Sequence, residues 1–272
     1  MIELRQVSKT FANEETGHVV QALQNVDLRV GQNELVCVLG PSGCGKSTLL
    51  NLVAGFESPT AGHVLFEGRP VEAAGPDRGV VFQDPTLFPW LTVEQNVDFG
   101  LRNLGLGATE RQRITSRFVS LVGLADFARS RPHQLSGGMK QRVQLARVLA
   151  LDPRALLMDE PFGALDAQTR DRLQDQLLEI WERYRKTILF VTHNVEEAVY
   201  LADRVMVLAP APDGITADVP ISIPRPRSRY SEEIREATLA LMGVLADLPC
   251  CVLPSHPAGE MPSREPAITK PG

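Results

Sequence analysis

The chain has 272 residues, with 28 Lys and Arg against 33 Asp and Glu and a formal net charge of −5. That balance excludes a chain that is basic overall and would hold nucleic acid by bulk charge. The four cysteines, Cys37, Cys44, Cys250 and Cys251, are spaced neither as a disulfide framework nor as a zinc site.

The opening MIELRQVSKTF carries charges where a signal peptide has an apolar stretch, and no apolar run approaches the roughly 20 residues that span a bilayer. A soluble chain is expected. Up to about Arg69, short β-like segments such as HVVQAL, VDLRV and HVLFEG predict a mixed β subdomain. ELVCVLG then runs into Gly40 and is followed by the helical pattern KSTLLNLVAGF. GVVFQ ends at Gln83, ALLMDE at Asp159 and Glu160, and TILFVTH at His193. These four runs read as buried strands of an α/β sheet. Ligands of such sheets sit at the carboxyl ends of the strands, and all four ends carry groups suited to phosphate, metal or water.

The stretch from about 84 to 153 shows helical segments at ERQRITSRFVSLVGL and GMKQRVQLARVLA, which predicts a helical lobe inserted into the sheet domain. After Leu208 the chain reads as proline-rich and extended through APAPDG and IPRPRSRY. SEEIREATLALMGVLADL has a serine cap, early acids and helical apolar spacing. The expected organisation is a domain over 1–225, a C-terminal helix within 226–249 and a disordered tail over 250–272.

GPSGCGKST comprises Gly40, Pro41, Ser42, Gly43, Cys44, Gly45, Lys46, Ser47 and Thr48 and fits G-x-x-x-x-G-K-[ST] between a strand and a helix. Its backbone N–H groups suit phosphates, Lys46 the β- and γ-oxygens, and the Ser47 hydroxyl Mg²⁺. Asp159 adds a Mg²⁺ ligand and Glu160 a group to polarise water, unless both only cap the next helix. A lone Gln83 or His193 is an ordinary turn residue, but each follows a predicted sheet strand. Phe11 either stacks on adenine or is buried in the β subdomain. Cys44 has no histidine nearby in sequence, which favours a packing role, and its modification would block nucleotide entry. LSGGMKQR, from Leu135, looks like a second anion-binding helix start. It is either structural punctuation or a site for a different nucleotide.

In the order GPSGCGKST, Gln83, LSGGMKQR, ALLMDEP, GALD and VTHNVEEA, the chain resembles the nucleotide-binding subunits of ATP-binding cassette (ABC) transporters, of the importer type, over about Met1 to Leu208. The resemblance implies a phosphate-loop NTPase (RecA-like) core with an antiparallel β subdomain and an inserted helical signature subdomain, acting as a MgATP-dependent ATPase. It implies two cassettes paired head to tail, as a homodimer or mixed pair, with Ser136, Gly137 and Gly138 of one chain closing over the other's γ-phosphate. Phe11 would stack on adenine, Gln83 would couple Mg²⁺ and water to the transport subunit, Glu160 would be the base, His193 would contact the γ-phosphate, and Asp166 would organise the dimer seam. Integral permease subunits and, indirectly, a solute-binding protein would be partners at the cytoplasmic face of the membrane, with no nucleic acid. DPTLFPWLTVEQNVDFGL, Met139 and RPRSR are similar to the importers of nitrate, sulfonates and taurine, and Phe88, Pro89 and Trp90 become either permease contacts or internal packing. Soluble cassette ATPases with non-transport roles share this chemistry. A small-molecule kinase would leave LSGGMKQR and His193 without purpose.

Overall fold

The computed structural model describes residues 1–12 and 19–248; the Cys250–Cys251 pair and the expected tail lie outside them. Strands β1 (Ile2–Ala12), β2 (Val19–Val30), β4 (Ala61–Phe66) and β5 (Arg69–Pro70) form an antiparallel sheet in the order β2-β1-β4-β5. VVQAL, from Val19, and VDLRV, expected in separate segments, run together in β2, and Asn25 between them takes a left-handed φ of 47°.

The second sheet has the order β10-β9-β3-β8-β7-β6, from β3 (Leu35–Leu39), β6 (Arg78–Val81), β7 (Ala155–Asp159), β8 (Thr187–Thr192), β9 (Arg204–Leu208) and β10 (Ile215–Pro220). All its pairs are parallel except β10 with β9. Its central strands are buried on both faces, so their sequences run apolar without alternation. Leu35, Cys37 and Leu39 face one core with Ile188 and Phe190, while Val36 and Val38 face the other with Leu189 and Val191. Truncating a fully buried Phe190 to Ala would cost about 3–5 kcal/mol. The second core also holds Ile2 and Leu4 of β1 and Leu49 and Leu50 of α1 (Lys46–Ala54), which ties the β subdomain to the phosphate-loop helix.

Between β6 and β7 stand α2 (Val93–Leu101), α3 (Ala108–Leu121) and α4 (Gly137–Ala150). Helix α2 begins in a capping box, with Thr92 and Gln95 satisfying each other's backbone N–H groups. Helix α5 (Ala167–Tyr184) follows β7, and α6 (Val195–Leu201) follows β8. Between the proline-rich segments APAPDG and IPRPRSRY, β10 pairs along β9 as an edge strand. SEEIREATLALMGVLADL contributes α7 (Glu232–Ala246), capped by Ser231, whose Oγ accepts from Ile234 N. Helix α7 packs against α6.

Candidate functional site

The carboxyl end of β3 feeds directly into the loop Gly40–Gly45 and then α1. Gly40 is sterically required: a Cβ there would stand 2.2 Å from Leu208 O and 2.8 Å from Cys44 Sγ. Gly45 has a left-handed φ of 101°, and a Cβ on it would meet Ala22 O at 2.5 Å. Helix α1 has no side-chain N-cap and no acid in its first turn. Its leading N–H groups and positive dipole end therefore favour an anion. Lys46, only 5% exposed, folds over the loop and donates to Gly40 O at 2.9 Å and Pro41 O at 2.8 Å. Cys44 is buried under the same loop, so its thiol is shielded from reagents in the folded chain.

Strand β7 ends at Asp159, whose Oδ1 accepts from Ser47 Oγ at 3.1 Å. Burial pushes the Asp159 carboxyl above its usual range, against the lowering effect of the Ser47 hydrogen bond. Glu160, the next residue, stands in the left-handed region at φ 43°. That conformation costs a non-glycine residue about 1–2 kcal/mol. It is held by Glu160 N donating to Val191 O at 2.9 Å and by Gly163 N donating to Glu160 O at 3.1 Å. The side chain reaches groups that follow β8, the adjacent strand, and β3, the strand beyond it: Oε2 is 2.8 Å from His193 Nδ1 and Oε1 is 3.8 Å from Lys46 Nζ. Three of the four predicted strand ends thus meet through Lys46, Ser47, Asp159, Glu160 and His193. Gln83 joins from the fourth, two residues past β6: a Cβ on Gly163 would stand 3.5 Å from Gln83 Nε2 and 3.7 Å from Glu160 Oε2.

The donor set offers hydroxyl, carboxylate and amide oxygens at Ser47, Asp159 and Gln83, which suits a hard cation that takes its remaining ligands from phosphates and water. Among the described residues no group of three or more His, Cys, Asp or Glu is placed to hold a metal. A Mg²⁺ shared with a nucleotide does not require one.

Gln141, within LSGGMKQR, makes contacts that the sequence pattern does not reveal. Its Nε2 donates to Gln83 O at 2.7 Å and to Pro161 O at 2.6 Å, joining α4 to the segments that follow β6 and β7. No local signal marks Gln141, since its neighbours three and four positions away on α4 are Gly137, Gly138, Gln144 and Leu145. Ser136 caps α4, accepting from Met139 N at 3.3 Å. Gly137 and Gly138 open that helix against α5: a Cβ on Gly138 would stand 2.5 Å from Thr169 Cγ2, and one on Gly137 3.7 Å from Leu165 Cδ2. Asp166 caps α5 by accepting from Thr169 N at 3.0 Å, and that backbone hydrogen bond lowers its carboxyl pKa. Phe11 is 39% exposed at the end of β1, with Lys9 Nζ 4.8 Å from its ring centre, so the alternative of burial does not hold.

The ABC transporter family profile matches residues 23–163, over half of the chain. The chain belongs to the ABC transporter family. An uncharacterized ABC transporter ATP-binding protein of Methanocaldococcus jannaschii is 51% identical over 246 residues, covering 90% of this chain and 91% of the relative. A nitrate import ATP-binding protein, NrtD of Synechocystis sp., is 48% identical over 82% of this cassette and 83% of its own length. A taurine import ATP-binding protein, TauB of Burkholderia thailandensis, is 52% identical over 78% and 81% respectively. Among solved structures, a dimeric ATP-binding cassette in a post-hydrolysis state bound to ADP and Pi matches with a TM-score of 0.73 at 32% identity, covering 82% of this cassette and 100% of that chain.

On the cassette's surface, the residues after Gln83 differ in packing and exposure. Phe88 packs on Phe99, with ring centres 4.3 Å apart, and its backbone is pinned by the buried Asn96 amide. Trp90 is 67% exposed. No helix among the described residues is long and apolar enough to cross a membrane.

Proposed function

We propose that this chain is the ATP-hydrolysing subunit of an ABC importer for a small organic or oxyanionic solute of the nitrate, taurine and sulfonate class. The names of the relatives NrtD and TauB support that class, and they give no support to a soluble cassette with a non-transport role. Residues 1–225 make up the ATPase domain, with a helical subdomain at about 84–153, and the C-terminal helix α7 follows within 226–249. The chain works peripherally at the cytoplasmic face of the membrane on integral permease subunits, with a solute-binding protein as an indirect partner. Exposed Trp90 beside Phe88 and Pro89 offers the permease an aromatic anchor.

The observation that carries the reading is the convergence of Lys46, Ser47, Asp159, Glu160 and His193 at the ends of β3, β7 and β8. Residues Gly40 to Thr48 hold the phosphates, Phe11 offers adenine a ring face, and Lys46 neutralises the β- and γ-oxygens. Ser47, Asp159 and Gln83 hold Mg²⁺, which when bound neutralises developing phosphate charge. Glu160 takes a proton from water as the water oxygen bonds to the γ-phosphorus and the bond to the β–γ bridging oxygen breaks, leaving ADP and phosphate. His193, in contact with Glu160 at 2.8 Å, orients that carboxylate and faces the γ-phosphate. Ser136, Gly137 and Gly138 serve the nucleotide of a second cassette, with Asp166 at the seam. LSGGMKQR is then a site for a different nucleotide.

The test compares Glu160→Gln with Glu160→Gln/Ser136→Arg by ATP turnover, nucleotide binding and light scattering with and without MgATP. The single variant is expected to bind ATP, to lose nearly all turnover and to double in mass with MgATP; the double variant is expected to stay at the monomer mass. Wild-type turnover in Glu160→Gln would remove Glu160 from the base role. An unchanged dimer in the double variant would refute the head-to-tail use of Ser136.

A further inference from the structure

His193 is one residue in a sharp turn between β8 and α6, and the turn is held by a buried acid. Glu197 is 5% exposed. Buried carboxylates are rare unless each oxygen finds a donor. Here Oε2 accepts from Thr192 Oγ1 at 2.5 Å and Oε1 from Gln174 Nε2 at 3.0 Å.

The ordinary explanation for an acid at the third position of a helix is a capping box, in which it reaches back to the N-cap N–H. That is not the arrangement in α6. The N-cap is Asn194, whose N–H donates to Thr192 Oγ1 at 3.0 Å, while its own Oδ1 accepts from Glu197 N at 3.1 Å. The carboxylate is turned away from the cap, toward Thr192 and α5. The residues on both sides of His193 are therefore bound into one cluster centred on Glu197. His193 itself stays half exposed and reaches Glu160. Glu197 also lines, with Glu160, Gly163, Thr192 and His193, a cavity of about 40 Å³ beside that pair, room enough for a water.

The cluster is braced from behind. Gln174 Oε1 accepts from Arg229 Nη2 at 3.1 Å, and Arg229 also holds Asp175 at 2.6 Å and lies 3.7 Å from the centre of the Tyr200 ring. Arg229 is the last arginine of RPRSR, the segment ahead of α7.

We propose that Glu197 is a positioning residue for ATP hydrolysis, fixing the His193 turn through Thr192 and Asn194 and itself held by Gln174 and Arg229. It acts through His193 and so rests on the role given to His193 above. Misplacing a catalytic group through its supporting partners costs roughly ten- to a hundredfold in rate.

Full-length His193→Ala, Glu197→Ala and the double variant are compared by steady-state ATPase and nucleotide binding, with folding checked by melting. Glu197→Ala is expected to lower kcat by about ten- to a hundredfold, with KM and ATP affinity within about twofold. In the His193→Ala background the same change is expected to cost less than about twofold more. If His193→Ala lowers kcat but Glu197→Ala does not, or if their losses multiply, the positioning role is refuted. If His193→Ala turns over normally, the site reading of His193 fails instead, and the positioning role with it.

Should Glu197→Ala fail to fold, Glu197→Gln and Glu197→Gln/Gln174→Glu decide. The swap keeps an acceptor for Thr192, an amide donor between the two side chains and an acceptor for Arg229. Recovery of kcat in the swap relative to Glu197→Gln supports the brace, and equal kcat in both overturns it.

Discussion

Gly138→Ala tests what the second signature glycine does for the fold apart from any nucleotide. The added Cβ would stand 2.5 Å from Thr169 Cγ2, whereas ordinary contacts lie at 3.4–4 Å. The methyl must retreat by roughly 1 Å, and it sits one turn past the Asp166 cap that starts α5. Overpacking of this kind costs about 1–3 kcal/mol, only partly offset by the better helix propensity of alanine, worth up to about 1 kcal/mol. The net loss is about 1–2 kcal/mol, or a melting point lowered by roughly 2–8 °C for a domain of this size. Thr169→Ser deletes Cγ2 and leaves Thr169 Cβ at 3.9 Å, an ordinary contact. Thermal melts of Gly138→Ala and Gly138→Ala/Thr169→Ser are therefore expected to differ, with the double variant within about 2 °C of Thr169→Ser alone. A single variant as stable as the parent, or a double variant no better than the single, would refute the packing account.

Arg227, 7% exposed, donates to Val199 O, Tyr200 O and Ala202 O at the end of α6 and to Ile221 O and Ile223 O. Burial pushes its pKa down to about 10, so it is still cationic at neutral pH but costly to bury. Arg227→Met would orphan helix-end carbonyls while relieving that cost, for a net loss of about 3 kcal/mol by denaturant titration; a loss under about 1 kcal/mol would contradict the capping role. Burial also raises the Cys37 thiol well above its usual range, and Cys44 is buried. Iodoacetamide at pH 8 is expected to leave both unmodified in the native chain while labelling them in the unfolded one, as read by peptide mass spectrometry. Fast native labelling of Cys37 would mean that the sheet opens.

Much of the site is legible in the amino-acid sequence, because its chemistry is local. A glycine-rich turn between an apolar strand and a helix brings Lys46 and Ser47 with it, and Asp159 and Glu160 sit where the next apolar run stops. The strands are legible because burial on both faces leaves no polar position inside them. Strand β10 is not, since an edge strand alternates half-buried and exposed residues and ends in Pro220, which resembles the loop chemistry around it. Glu197 and Gln141 escape notice for a related reason: polar residues near helix starts read as solvated or capping, and nothing local marks them as buried.

The sequence by itself determined the phosphate loop, the acidic strand end, the signature and the serine cap of α7, each written in a few adjacent residues. Only the tertiary structure decided that β3 lies between β9 and β8, that Glu160 touches both Lys46 and His193, that Gly138 abuts Thr169, and that the arginines of RPRSR grip α5 and the end of α6. Those contacts join residues far apart in the chain. Their geometry is set by sheet register and by which helix faces meet, and periodicity within one segment carries no record of either.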